Sequence, residues 1–146
     1  MKKKRLLGID FGHVRIGLAV SDPLQIIASP LATIQGSKNP LTAAKNVATE
    51  LRAKNLDIEQ IIVGLPLHLN GKESERSTEV RAFAVALEEQ SGIAVQLFDE
   101  RLTTVQAERL MKNASMTRKQ RSSSVDGVSS TILLQSFLDL QGCRIS

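Results

Sequence analysis

The chain contains no tryptophan, no tyrosine and only four phenylalanines among 146 residues. Stacking of bases on aromatic side chains is therefore not its main grip on any nucleic acid, and backbone contact and shape would have to dominate. A single cysteine, Cys143, excludes an internal disulfide and cannot by itself build a zinc site, which fits the reducing cytoplasm expected for this chain. Two histidines, His13 and His68, are too few for a zinc hydrolase centre. Each falls in an expected loop and reads first as a surface residue, with His68 also a candidate phosphate contact. No segment approaches the roughly 20 apolar residues that span a bilayer. The basic MKKKR start leads into LLGIDFG, where Asp10 interrupts the apolar run, so the pattern is that of a strand rather than a signal-peptide core. No membrane partner is expected.

Against these absences stands a hydrophobic share of 42%, enough for one domain spanning residues 1–146 with its own core. The net charge of +4 favours a polyanionic partner and equally describes a solvated basic surface.

The periodicities alternate between strand and helix. LLGIDFG and IGLAVSD flank a short connection and predict a hairpin, and Leu31–Ile34 predicts a third strand. Asn39-Pro40 opens a helix whose apolar face is Leu41, Ala44, Val47, Ala48 and Leu51. Residues 59–64 (EQIIVG) have the character of a buried parallel strand. The loop LPLHLNGK leads to a second helix over about 74–90, with Val80, Phe83, Ala84 and Leu87 inward and Gly92 as its stop. Residues 93–98 predict a fifth strand. Thr103, with Gln106 three residues on, caps a third helix. Residues 113–124 are polar and basic, and a last helix is expected over about 124–140. Three antiparallel strands followed by right-handed crossovers give an α/β fold of RNase H-like layout: a mixed five-stranded sheet with helices on both faces.

Three acids stand out against this frame. In the first strand Leu7, Ile9 and Phe11 share one face and Gly8, Asp10 and Gly12 the other. Asp10 thus sits inside a strand, in what reads as a shallow glycine-lined groove that a phosphate backbone could approach. Asp22, before Pro23, reads instead as a turn residue. Asp126 shares its helical azimuth with Leu133, Phe137 and Leu140, which aims it inward from an expected first turn, where the helix dipole tolerates a carboxylate. Glu100 falls just past a parallel strand, where open α/β sheets gather their ligand sites, with Asp99 as its rival for the inward position. Carboxylates from three elements suit a hard cation such as Mg²⁺ (or Mn²⁺), and two such ions can activate water against a phosphodiester without a protein nucleophile. Arg118, Lys119 and Arg121 lie in a basic segment, read as a loop, before the last helix, and are candidate phosphate contacts.

Four motifs in order, GIDFGHVRIGLAVSD, VGLPLHLNG, DERLTT and the aspartate ahead of TILLQSFL, resemble the YqgF family over about residues 6–138. Its members are described as pre-16S rRNA nucleases and, in an older description, as Holliday junction resolvases. The resemblance implies an RNase H-like fold, metal-dependent phosphodiester cleavage, and catalytic and metal-binding acids at Asp10, Glu100 and Asp126. Where the family usually carries alanines after the helical aspartate, this chain has Gly127, Val128, Ser129 and Ser130, mostly small residues as well. The implied main role is trimming of pre-16S rRNA, with structured RNA as partner, branched DNA as the alternative, and a monomer or homodimer as the unit. Two other readings compete. An ATP-binding module of the actin and sugar-kinase type shares the G-x-D-x-G hairpin but needs two such domains. A non-catalytic ribosome-assembly factor would use the basic face alone.

Overall fold

The computed structural model describes residues 4–102 and, as backbone, 118–145, with side chains described through 102 and from 128 to 141. Among the described residues the strands β1 (Arg5–Asp10), β2 (Arg15–Ser21), β3 (Ala28–Gln35), β4 (Ile58–Leu65) and β5 (Ala94–Asp99) form one sheet in the order β3-β2-β1-β4-β5. The β1–β2 and β2–β3 pairs are antiparallel, and β1–β4 and β4–β5 are parallel. Helices α1 (Pro40–Lys54) and α2 (Glu75–Ser91) cover one face, and α3 (Arg118–Ile145) covers the other.

Local chemistry sets the helix ends. The Asn39 side chain accepts from the Leu41 N–H at 2.9 Å ahead of Pro40, and Asn55 closes α1 in the left-handed conformation at φ 50°. At α2, Ser74 and Ser77 exchange side-chain-to-backbone bonds as a capping box, and Gly92, at φ 72°, returns its N–H to the Glu88 carbonyl. The stripes of both helices are buried as the periodicity predicts, except that Leu41 is exposed and Ala43 takes its place. β3 is longer than predicted, because its outer edge faces solvent and carries Ser29 and Pro30 instead of an apolar alternation.

Two further expectations change. The last helix starts at Arg118, not near Ser124, so the basic segment is helical and no acid lies in the first turn. Its buried stripe is Ser130, Leu133, Leu134 and Leu138, while Leu140 is exposed. The helix expected to open at Thr103 lies outside the described residues.

Two clusters separate across the sheet. Leu7, Ile9 and Phe11 of the first strand segment, with Ile16, Leu18, Ile61 and Val63, pack on α1 and α2. Leu6, Ala19 and Ile62 pack with Phe98 on Leu133, Leu134 and Leu138 of α3. Side-chain alternation in the strands produces this division.

Candidate functional site

The α3 face of the sheet carries small residues, Gly8, Ala19 and Gly64, among its buried apolar ones, and what they admit defines the site. A Cβ on Gly8 would lie 2.7 Å from the Leu134 Cβ and 3.2 Å from the Ser130 carbonyl oxygen. The glycine-lined groove expected for a phosphate backbone is therefore occupied by the helix itself: Gly8 and Ala19 let α3 sit close on the strands. A ligand reaches this face only beyond the helix contact, at the strand ends.

Asp10 closes β1, opposite Gly17 of β2, on the same face as Gly8. The helix runs antiparallel to β1. Gln25 donates to the Lys4 carbonyl at the start of β1, and Gln141, near the end of α3, donates to the Gln25 side chain. The earlier turns of α3 thus run toward the Asp10 end of the strand. Counting back from Leu134, Leu133 and Ser130 by eight, seven and four residues arrives at position 126, so the backbone of α3 carries Asp126 in helical register with these residues. Its side chain, like those of Arg118, Lys119 and Arg121, lies outside the described residues.

Glu100 follows β5 in a short 3-10 turn, Glu100–Leu102. β1 and β5 are two strand spacings apart, about 10 Å. Gly64 of β4, between them, is what closes that gap. A Cβ there would fall 2.6 Å from the Glu100 Oε1 and 3.0 Å from the Leu133 Cδ1, so the carboxylate lies in the space a side chain would fill. Burial pushes the Glu100 carboxyl up to about 7, the Asp10 charge adds to the rise, and Arg76 opposes it. Asp99, the rival, turns away. Its carboxylate accepts from the Arg101 guanidinium at 2.6 Å and from the Arg101 N–H at 3.0 Å, which holds it below the ordinary aspartate range. Arg101 also donates to the Leu69 carbonyl at 3.2 Å and so ties the LPLHLNGK loop to the end of β5.

His68 sits exposed in that loop, its N–H bonded to the Lys72 carbonyl. His13 contacts Glu79 of α2 at the half-exposed surface. Asp22 is a turn residue as expected, its Oδ1 accepting from the Ile26 and Ile27 N–H groups at 2.7 and 2.8 Å. The structure thus brings Asp10 and Glu100 into electrostatic contact on one face. Among the described residues there is no group of three His, Cys, Asp or Glu side chains arranged to hold a metal. Sequence reasoning missed two participants. Gly64 was visible only as a small residue ending EQIIVG. Arg76, in the first turn of α2, donates to the Phe11 carbonyl at 2.8 Å, directly after Asp10.

Residues 4–140 match the RuvX family, described as Holliday junction resolvase. The chain belongs to the RuvX family. The YqgF resemblance drawn from the four motifs is thereby borne out. Proteins named "Putative pre-16S rRNA nuclease" are similar to this RuvX member along almost their whole length. That of Protochlamydia amoebophila is 44% identical over 142 residues, covering 94% of this chain and 95% of its own. That of Koribacter versatilis is 42% identical over 143 residues, covering 94% and 88%. Among solved structures, Thermus thermophilus RuvC in complex with a Holliday junction substrate superposes at a TM-score of 0.53 with 16% identity, covering 95% of this chain and 96% of that one. At that identity the likeness concerns the fold, which is RNase H-like as expected. No helix among the described residues is long and apolar enough to cross a membrane.

Proposed function

We infer that this RuvX-family chain is a nuclease, a single RNase H-like domain that hydrolyses phosphodiester bonds at Asp10, Glu100 and Asp126. The observation that carries the reading is the Glu100 carboxylate seated over Gly64 at the carboxyl ends of parallel strands, on the face that carries Asp10 and within reach of its charge. The Asp10 charge acts on the Glu100 carboxyl, and two carboxylates that share a face offer the oxygen-only donors that suit a hard divalent cation such as Mg²⁺ or Mn²⁺. Asp10, Glu100 and Asp126 would hold it, and when bound it supplies polarisation of the phosphate and an activated water. The chain's own residues do the rest. Gly64 leaves room for Glu100 to reach across, and Arg101 keeps Asp99 out of the site. Arg118, Lys119 and Arg121 at the start of α3, and His68 in the loop, are assigned to phosphates flanking the cleaved one.

Precursor 16S rRNA is the proposed substrate, as named for relatives at 42–44% identity, with branched DNA as the second reading because the family description names it. Purified protein offered both a pre-16S rRNA fragment and a four-way DNA junction with Mg²⁺ or Mn²⁺ tests this. Cleavage of the RNA with the junction left intact is expected. Symmetric junction cutting with uncut RNA reverses the order, and inertness toward both rejects a nuclease.

A further inference from the structure

Three arginines gather around the strand ends and the start of α2, and they are not equivalent. Arg81 is spent on Glu73, donating Nε to Oε1 at 2.7 Å and Nη2 to Oε2 at 3.0 Å. Arg101 is spent on Asp99 at 2.6 Å. Arg76 is exposed, and among the described residues it forms no ion pair with a carboxylate. One donor, Nη2, is fixed on the Phe11 carbonyl at 2.8 Å. A guanidinium has five N–H donors, and among the described residues this is the one that is engaged.

The backbone beneath Arg76 is anchored as well. Ser74, the N-cap of α2, donates its hydroxyl to the Pro66 carbonyl at 2.6 Å, fixing the first turn to the end of β4. Arg76 is thus a cation pinned by one arm on the carbonyl of Phe11, the residue after Asp10, and close enough to Glu100 for its charge to oppose the rise in that carboxyl's pKa. A planar fork with spare donors at the rim of an acidic site matches a phosphate, which accepts two parallel N–H bonds.

We propose that Arg76 binds the substrate at the phosphate undergoing cleavage, gripping a non-bridging oxygen while Asp10 and Glu100 serve the reacting side. The assignment rests on the nuclease reading above and adds a substrate-binding residue to it. It also predicts that Arg81 and Arg101, though near, do not contact the substrate.

The test uses full-length protein and the nucleic acid probe that the wild type cuts, pre-16S rRNA fragment or junction, with the cleaved linkage mapped. Affinity is read in the Asp10→Asn background at several salt concentrations, beside cleavage by the otherwise native enzyme. Arg76→Ala is expected to weaken binding about ten- to a hundredfold, the share of one charge-assisted hydrogen-bonded pair. It should also flatten the salt slope by about 0.7–0.9, one phosphate contact. Arg76→Lys, which keeps the charge and loses the fork, should restore the slope and only part of the cleavage rate. Arg81→Ala should leave both unchanged. A neutral methylphosphonate at the cleaved linkage should weaken binding to protein with Arg76 intact and have no further effect on Arg76→Ala. Thermal melts confirm that each variant folds. An Arg76→Ala protein with unaltered salt slope and cleavage, or one that still loses affinity to the methylphosphonate probe, overturns the assignment while leaving the nuclease reading in place. Wild-type protein that neither binds nor cuts either probe overturns both.

Discussion

The two faces of the sheet come from the same strands and differ in nearly every physical respect. Toward α1 and α2 the strands present Leu7, Ile9, Phe11, Ile16, Leu18, Ile61 and Val63, all buried, against Phe83 and Leu87. Toward α3 they present fewer large side chains, Leu6, Ile62 and Phe98, set among Gly8, Ala19 and Gly64, with Asp10 and Glu100 beyond. The first face stabilises by burying large side chains, each contributing about 1.5–3 kcal/mol. The second gives up part of that burial for closeness: the helix backbone approaches Gly8, and a carboxylate approaches Gly64. Stability and chemistry are therefore expected to respond to different substitutions, face by face.

The largest separation should come at Asp10. Asp10→Asn is expected to abolish cleavage while leaving the metal-free protein as stable as the wild type or more so, because it removes a like charge from beside Glu100. A cleavage assay beside a thermal melt reads both. On the opposite face the signature inverts. Phe83→Ala should cost about 3–5 kcal/mol of stability, since Phe83 is fully buried and its ring centroid lies 4.8 Å from that of Phe11. Activity per folded molecule should be retained in urea-calibrated samples.

The two glycines divide the α3 face more finely. Gly8→Ala drives a Cβ against Leu134 and the Ser130 carbonyl, so α3 must move, at about 1–3 kcal/mol. In Gly64→Ala the first atom met is the mobile end of Glu100, so the carboxylate is displaced and cleavage should fall more than stability does. Equal losses in the two properties for both variants would erase the distinction. The smallest effect is expected at Asp99. Its pair with Arg101 is partly exposed at the surface, and Asp99→Asn should cost about 0–1 kcal/mol and spare cleavage.

Much of this division was legible in the sequence. Alternation in LLGIDFG assigns Asp10 to the small-residue face, and the cap at Asn39 and the turn at Asp22 follow from side-chain chemistry that acts within a few residues. What covers a face is not local information. The groove beside Gly8 reads as open until α3, more than a hundred residues away, is seen to fill it. The choice between Asp99 and Glu100 turns on Arg101 drawing one acid aside and Gly64 making room for the other, a contact between two strands. The start of α3 escapes because RKQRSSS has no apolar period, and Arg76 escapes because an exposed helical arginine is indistinguishable in sequence from its neighbours.

The central claim is that Glu100 and Asp10 form a cation site, and proton linkage at Glu100 tests it most directly. A carboxyl at about 7 in the folded chain and near 4.5 unfolded binds more protons when folded. Metal-free stability should therefore fall as pH rises from about 4.5 to 7, by about 1–3 kcal/mol. Thermal melts across this range, with and without Mg²⁺, in wild type and Glu100→Gln, read the effect. Mg²⁺ should restore the stability lost by pH 7 in the wild type, and Glu100→Gln should show neither this fall nor the restoration. A wild-type curve indifferent to Mg²⁺, or a Glu100→Gln protein that keeps both the pH-dependent fall and the Mg²⁺ response, would contradict it.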